Sequence, residues 1–263
     1  MKNILVPIGS SPGAESCLQY AIDFAEVFDA NVYVVSVFKQ LSKAGGLSKV
    51  NTLLKEESEE RLTQVMNKVD QRDVHVIAHP IKGEVVEGVE RFNRHIPVDL
   101  MILSPRSNSK KDEVYLGKTS GKLIKQTTIP ALIVPDGYTF KPAKNILMAF
   151  KNGNFTRQDA LLPLRQIKTF LHTTINVLQV ITPDHQESYN QFSKELMALT
   201  DNISKTENAT TYQGVLEHFQ SNQPDMLCVV RRKRGFFTRL WEKDVILKRE
   251  FFTTIPLLIL SGN

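Results

Sequence analysis

The sequence predicts an α/β protein made of two tandem domains, each with a five-stranded parallel sheet and helices on both faces. Three observations predict this fold class. Short β-branched runs alternate with longer amphipathic stretches in the first half of the chain, the same order begins again in the second half, and matching segments of the two halves are similar residue by residue. Alternating strand and helix patterns are typical of βαβ units with right-handed crossovers.

The first half contains five strand patterns and four helix patterns in strict alternation. Runs rich in Val, Ile and Leu predict strands, whereas apolar residues at a spacing of three to four predict amphipathic helices. The predicted strands are 3–8, 31–37, 74–78, 99–104 and 131–134. The predicted helices are 14–28, 48–72, 83–94 and a segment that begins at Gly117.

The stretch 99–135 contains the predicted ligand site. It consists of an apolar run, a polar loop with one glycine, a helix and a second apolar run. In open α/β sheets, ligands bind beyond the carboxyl ends of the strands, and the amide groups at the start of the next helix favour anions. A ligand of the first half is therefore expected beside this loop.

The second half repeats the first. Residues 144–150 (KNILMAF) match residues 2–8 (KNILVPI) at an offset of 142. Residues 225–230 and 253–260 match residues 99–104 and 127–134, and both pairs share an offset of 126. Anchors in the same order with a shared offset indicate a tandem duplication.

The predicted domains are 1–140 and 141–263, joined by a linker at 136–143. The second domain is 16 residues shorter between its first and fourth strands, as the change of offset shows. Its middle elements are predicted at 174–180, 186–203 and 206–211, where the patterns are weaker.

Composition narrows the class of protein. The chain is 41% hydrophobic and 23% charged with a net charge of +5, which is ordinary for a globular protein and a weak argument for an acidic partner. Its two cysteines lie far apart, which favours buried thiols in a reducing compartment over a disulfide framework. No apolar stretch approaches the ~20 residues that span a bilayer. We therefore expect a cytoplasmic protein that does not bind membranes.

The whole chain resembles a tandem universal stress protein. The resemblance rests on the NILVP start, the LGKTSGKLIKQTTIPALIVP segment, and the RRKRGFFTRLWEKDVILKREFFTTIPLLIL segment of the second copy. It implies an adenine-nucleotide alpha-hydrolase-like fold with strand order 3-2-1-4-5. It also implies that the two domains pair through their last strands, 131–134 and 257–260.

Members of this family that bind ATP carry a loop of the form G-x-x-G, nine residues, G-(S/T), and the matching positions here are Ser104, Ser107, Gly117 and Lys118. Only Gly117 is retained. The aspartate that follows strand one in these members is replaced by Gly9. ATP or AMP therefore remains an alternative for the first domain, and its candidate residues are Gly9, Ser10, Ser104, Ser107, Gly117, Lys118, Thr119 and Ser120.

The second copy has lost more of this loop, and basic residues stand beside aromatic ones there. The basic residues are Arg231, Arg232, Lys233 and Arg234, followed by Phe236, Phe237 and Trp241. One interpretation is a phosphate or nucleic-acid surface, since arginine binds phosphate and aromatic rings stack on bases. The other, which we favour, is a solvated basic surface whose aromatic neighbours fill the volume of a nucleotide.

No pair of residues has recognisable catalytic spacing. His75 and His79, on a predicted strand, would be roughly 13 Å apart, which is too far for one metal ion. We therefore expect a stress-response regulatory or partner-binding protein that is not an enzyme. The alternatives are an ATP- or AMP-binding sensor or slow ATPase, and nucleic-acid association through 231–239. The expected partner is an unidentified protein, and a homodimer is a further alternative.

Overall fold

The computed structural model describes residues 1–9, 13–39, 48–105, 114–153, 155, 159–183, 186–231, 246–248 and 251–262. The first half contains strands β1 (Asn3–Ile8), β2 (Asn31–Phe38), β3 (Val76–Lys82), β4 (Leu100–Leu103), β5 (Val114–Leu116) and β6 (Ala131–Ile133). Its helices are α1 (Ala14–Phe28), α2 (Ser48–Met66), α3 (Val85–His95) and α4 (Lys118–Gln126).

The second half repeats this order with shorter middle elements. Its strands are β7 (Asn145–Phe150), β8 (Thr174–Ile181), β9 (Asn202–Glu207), β10 (Met226–Arg231), β11 (Ile246–Leu247) and β12 (Leu257–Ser261). Its helices are α5 (Leu162–Leu171), α6 (Lys194–Leu199) and α7 (Thr211–Asn222), with a 3-10 turn at Glu187–Asn190.

Ten of the described strands form one sheet in the order β3-β2-β1-β4-β6-β12-β10-β7-β8-β9. Within each half, neighbouring strands are parallel and follow the order 3-2-1-4-5, which confirms the predicted fold class. The two five-stranded sheets are continuous because β6 and β12 pair antiparallel, with Leu132 opposite Leu258.

Helices cover both faces of this sheet, as predicted. Buried residues of α1, α2, α5 and α6 share one hydrophobic cluster, and those of α3, α4 and α7 share the cluster on the opposite face. Along β1, Ile4 and Val6 belong to the first cluster and Leu5 to the second. Strands that are buried on both faces have continuous apolar sequences, so their positions could be predicted well from the sequence.

The duplication extends to the hydrogen bonds at the amino ends of the strands. The carboxylate of Asp99 accepts hydrogen bonds from the amides of Lys2 and Asn3, at 2.6 and 3.0 Å. Asp225 accepts from the amides of Lys144 and Asn145 in the same way, at 2.9 and 3.1 Å. The two halves therefore share side-chain interactions as well as topology.

Several element boundaries differ from the predictions, and the predicted element 186–203 is a 3-10 turn at Glu187–Asn190 followed by helix α6. Strand β3 begins at Val76 and continues to Lys82, because Ile81 is buried and a proline at position 80 is tolerated in an edge strand. Helix α2 ends at Met66, and Arg72 adopts a left-handed turn with φ 49°. In the second half the third strand lies at Asn202–Glu207, since Thr210 caps helix α7 immediately afterwards.

The polar loop after β4 contains a strand that the sequence did not predict. Strand β5 pairs antiparallel with β11 of the second half, and Leu116 lies opposite Ile246. Both residues are fully buried in the cluster that contains α3, α4 and α7. The loop of one half is thus held against the equivalent loop of the other.

Candidate functional site

The predicted crevice lies at the carboxyl ends of β1 and β4, which are parallel neighbours in the sheet. Gly9 follows β1, Ser104 follows β4, and α4 begins at Lys118 after the N-cap residue Gly117. The topology therefore places these predicted residues at one edge of the sheet. Ser10 and Ser107 lie outside the described residues.

Hydrogen bonds within the protein occupy two of the predicted phosphate ligands. The hydroxyl of Ser120 is buried and donates to the carbonyl oxygen of Ser104 at 2.9 Å. The amide of Gly117 donates to the carbonyl oxygen of Pro105 at 2.8 Å. These two hydrogen bonds fix the loop to the first turn of α4. The Ser120 hydroxyl and the Gly117 amide could donate to a phosphate only if these bonds were broken.

The start of α4 retains part of an anion-binding arrangement. Lys118 is exposed and Thr119 is partly buried in the first turn, where backbone amides and the helix dipole favour negative charge. Gly117 has φ −76° and ψ 165°, which any residue adopts without strain. The retained glycine therefore has no conformational requirement at this position.

Asp136, which the sequence analysis assigned to the linker, brings a negative charge to this crevice. Its Oδ1 atom accepts a hydrogen bond from the hydroxyl of Ser104 at 3.4 Å. The same oxygen lies 2.6 Å from the place that a Cβ atom would take on Gly13, just before α1. The absence of a side chain at Gly13 thus lets the Asp136 carboxylate approach the amino end of α1, where the helix dipole stabilises it.

The environment of Cys17 is consistent with this position of Asp136. Burial raises the pKa of the Cys17 thiol to about 12, and the negative charge of Asp136 contributes in the same direction. Cys17 lies in the first turns of α1 and is 4% exposed. The Asp136 carboxylate therefore lies close to the first turns of this helix.

The Asp136 carboxylate disfavours phosphate binding in this crevice. A phosphate that approached Ser104 and the start of α1 would meet a carboxylate, and like charges side by side are unfavourable. Asp136 could have been found from the sequence, because it follows the last strand of the first half at the same sheet edge as Gly9 and Ser104.

In the second half, the described residue at the position of Asp136 does not carry a carboxylate. At the offset of 126, Ser104 and Asp136 correspond to Val230 and Gly262, and at the offset of 142 Gly9 corresponds to Lys151. Neither the hydroxyl nor the acidic group of the first crevice is repeated. Among these matching positions the first half has an acidic residue, Asp136, whereas the second half has a basic one, Lys151.

Arg231, from the predicted basic loop, is partly buried and contacts the first half. Its guanidinium donates hydrogen bonds to the carbonyl oxygens of Lys125 and Thr127, both at 2.6 Å, and to Ser261 Oγ at 3.4 Å. Burial lowers its pKa. Arg232, Lys233, Arg234, Phe236, Phe237 and Trp241 lie outside the described residues.

Comparison with known proteins decides the family. Residues 1–135 match the model of the Universal stress protein family. The chain belongs to the universal stress protein family. A curated universal stress protein of Methanocaldococcus jannaschii is 27% identical over 138 residues, which are 51% of this chain and 81% of that protein.

Two solved structures extend the likeness of this universal stress protein over nearly the whole chain. A universal stress protein from Archaeoglobus fulgidus DSM 4304 has a TM-score of 0.73 at 15% identity, covering 99% of this chain and 98% of that one. A protein described as a putative universal stress protein from Pseudomonas aeruginosa UCBPP-PA14 has a TM-score of 0.57 at 14% identity, covering 99% and 93%. At these identities the likeness shows the fold alone.

The geometry of the described part of this universal stress protein meets the requirements of neither a metal site nor a membrane-spanning helix. Within those residues, no group of three or more His, Cys, Asp or Glu is placed to hold a metal ion. None of the described helices is both long and apolar enough to cross a membrane. The crevice beside Asp136 therefore provides the main evidence on function.

Proposed function

We propose that this universal stress protein is a cytoplasmic stress-response protein that acts by binding a partner rather than by turning over a nucleotide. The observation that supports this most is the Asp136 carboxylate, which lies between Ser104 and the amino end of α1. It supplies the negative charge that the helix terminus favours, so a phosphate is not needed there. A cytoplasmic location fits the two buried free cysteines.

The loop between β4 and α4 supports the same proposal. The Gly117 amide and the Ser120 hydroxyl are bound to carbonyl oxygens of the first half. A nucleotide would have to displace these bonds as well as the Asp136 carboxylate. The two hydrogen bonds and the carboxylate all oppose phosphate binding in the crevice that the family resemblance predicts as the nucleotide site.

Isothermal titration calorimetry with ATP and Mg²⁺, and separately with AMP, tests the proposal. We expect no binding to the wild-type protein with a dissociation constant below ~10 μM. The Asp136→Asn variant keeps the shape of the side chain but removes its charge, and it should bind ATP more tightly. Asp73→Asn, at an exposed position, is the matched control for the same change of net charge.

Two results would contradict the proposal in different ways. Tight binding of ATP to the wild-type protein would support the alternative function, a nucleotide sensor or slow ATPase. Open space beside Gly9, where an added Cβ would meet nothing within 4 Å, and the exposed Lys118 favour that alternative. Equal affinities of Asp136→Asn and Asp73→Asn would instead remove Asp136 as the cause of exclusion.

Nucleic-acid association through residues 231–239 has less support, because Arg231 is bound to carbonyl oxygens of α4 and of the turn that follows it. Its test is a gel-shift titration at two salt concentrations. A phosphate-driven interaction weakens steeply as salt is added. Binding of duplex or single-stranded DNA with that dependence would favour this third function.

A further inference from the structure

A cavity of about 390 Å³ lies where the two halves meet, beyond the carboxyl end of β6, and we call it the seam cavity. The first half contributes Pro105, Tyr115, Pro135 and Asp136 to its walls, and the second half contributes Lys248 and Phe252. Gly9, Gly117 and Ser120 are not among its lining residues. The seam cavity is therefore a different site from the predicted nucleotide crevice, although Asp136 borders both.

The walls of the seam cavity are suited to a flat ring. The rings of Tyr115 and Phe252 pack edge to face with their centroids 5.9 Å apart, and two prolines add apolar surface. Phe252 is 42% exposed, so a ligand that covered it would remove a large apolar surface from water. A volume of this size is within the range of small-molecule sites, and it accommodates a molecule of one or two rings.

Lys248 and Asp136 determine which charge a ligand of the seam cavity should carry. The ammonium group of Lys248 lies 5.6 Å from the centre of the Phe252 ring and forms no ion pair within the described residues. It is available to an anionic group, whereas Asp136 disfavours a second negative charge nearby. This combination fits a single carboxylate better than a phosphate chain.

The Tyr115 hydroxyl is an unusual feature of the seam-cavity wall. Its side chain forms part of the wall and is 3% exposed, and its hydroxyl has no hydrogen-bond partner among the residues that the structure describes. Buried polar groups in native proteins are nearly always paired, and an exception calls for an explanation.

We propose that the seam cavity binds a small planar aromatic monocarboxylate, with its ring against Tyr115 and Phe252 and its carboxylate paired with Lys248. Because both halves contribute walls, such a ligand would bridge the two domains. This binding does not depend on whether the nucleotide crevice is closed, so the two proposals can fail separately.

The charge preference is tested with three probes of similar size: indole-3-acetate, indole and tryptamine. Calorimetry or ligand-observed NMR on the full chain should give the tightest binding for the anion, then the neutral ring, then the cation. Lys248→Met should weaken indole-3-acetate about threefold to fivefold, as expected for a partly exposed ion pair, and leave indole unchanged.

Lys141→Met is the matched control for charge. Lys141 also lies over an aromatic ring, 5.9 Å from the centre of Tyr138, which lines the seam cavity, but Lys141 itself does not line it and pairs with Asp225 at 3.9 Å. Phe252→Ala tests the location of the site, and it should weaken the binding of all three probes. Phe170→Ala, which truncates a similarly exposed phenylalanine elsewhere, should not.

The proposal is overturned if none of the probes binds, or if tryptamine binds as tightly as indole-3-acetate. It is also overturned if Lys248→Met and Lys141→Met have the same effect on indole-3-acetate. Circular dichroism of each variant separates a lost site from a lost fold. Titration with ATP in parallel keeps this result distinct from that of the nucleotide crevice.

Discussion

The guanidinium of Arg231 donates a 2.6 Å hydrogen bond to the carbonyl oxygen of Thr127, across the boundary between the two halves of the chain. A second bond of the same length reaches the carbonyl oxygen of Lys125 in the last turn of α4. A cation at this end of a helix complements the helix dipole and binds carbonyl groups of its last turn. One half of the protein thus caps a helix of the other.

Replacing Arg231 tests this cap. We expect Arg231→Met to lower the free energy of unfolding by about 1 to 3 kcal/mol, because partly buried carbonyl groups lose their charged donor. Arg231→Lys should recover only part of that loss, since an ammonium group lacks the planar fork of the guanidinium. Urea denaturation followed by circular dichroism measures both variants.

The control is Arg94→Met, at an exposed position near the end of α3. This change should alter the free energy of unfolding by no more than about 0.5 kcal/mol. If Arg231→Met is as mild as this control, the two hydrogen bonds contribute little and the cap is unimportant for stability.

The unpaired hydroxyl of Tyr115 predicts a stabilising substitution. Tyr115→Phe removes a buried hydroxyl that has no hydrogen-bond partner in the described part of the chain, and it keeps the ring contacts with Phe251 and Phe252. The free energy of unfolding should rise by about 1 kcal/mol, since the folded state no longer buries an unsatisfied donor. Thermal and urea denaturation of the unliganded protein measure this change.

Tyr212→Phe is the matched comparison, because the Tyr212 hydroxyl accepts from the amide of Phe252 at 3.2 Å and donates to its carbonyl oxygen at 3.3 Å. The same chemical change should therefore destabilise the protein here. A loss of stability in both variants would mean that the Tyr115 hydroxyl is satisfied in solution.

The two thiols should be inert in the folded protein. Cys17 is 4% exposed and Cys228 is fully buried, and burial raises the pKa of both thiols. Because the thiolate is the reactive form, neither residue should react with Ellman's reagent at pH 8 at a rate faster than unfolding. Both should react at once in denaturant, and a rapidly modified thiol in the native protein would contradict the burial of these residues.

Asp201 predicts a pH-dependent contribution to stability. Burial alone would raise its pKa, but hydrogen bonds from the Ile175 amide at 2.7 Å and the Lys168 ammonium at 2.6 Å, together with the charge of Lys168, lower it. Its stabilising effect is therefore complete above the unfolded-state pKa of about 3.9 and is lost as the pH falls through the lower folded-state value.

Asp201→Asn should accordingly be less stable than the wild-type protein at pH 7. The difference should be below about 1 kcal/mol, because the Asp201 side chain is 39% exposed and solvent screens the pair. It should disappear at acid pH, where the wild-type carboxyl is protonated. A difference that stayed constant between pH 7 and pH 3 would show that the charge of Asp201 is not the cause.

The sequence predicted the sheet better than the crevice, for a physical reason. Strands such as β1 and β7 are buried on both faces and carry continuous apolar runs, so their position depends on local composition. Strand β5 could not be recognised, because three residues are stabilised by a partner strand from the other half. The position of Asp136 after the last strand was visible in the sequence, but its contacts with Gly13 and Ser104 were not, because these residues are distant in sequence.

The antiparallel pairing of β6 with β12 determines how this protein responds to dilution. In a pair of separate subunits, such a junction forms only above a certain protein concentration, but in one chain its two strands stay together at any concentration. The unfolding midpoint of a monomeric form should therefore not depend on protein concentration. Covalent fusion also allows the two crevices to specialise: Asp136 has Gly262 as its counterpart, an asymmetry that two identical subunits could not encode.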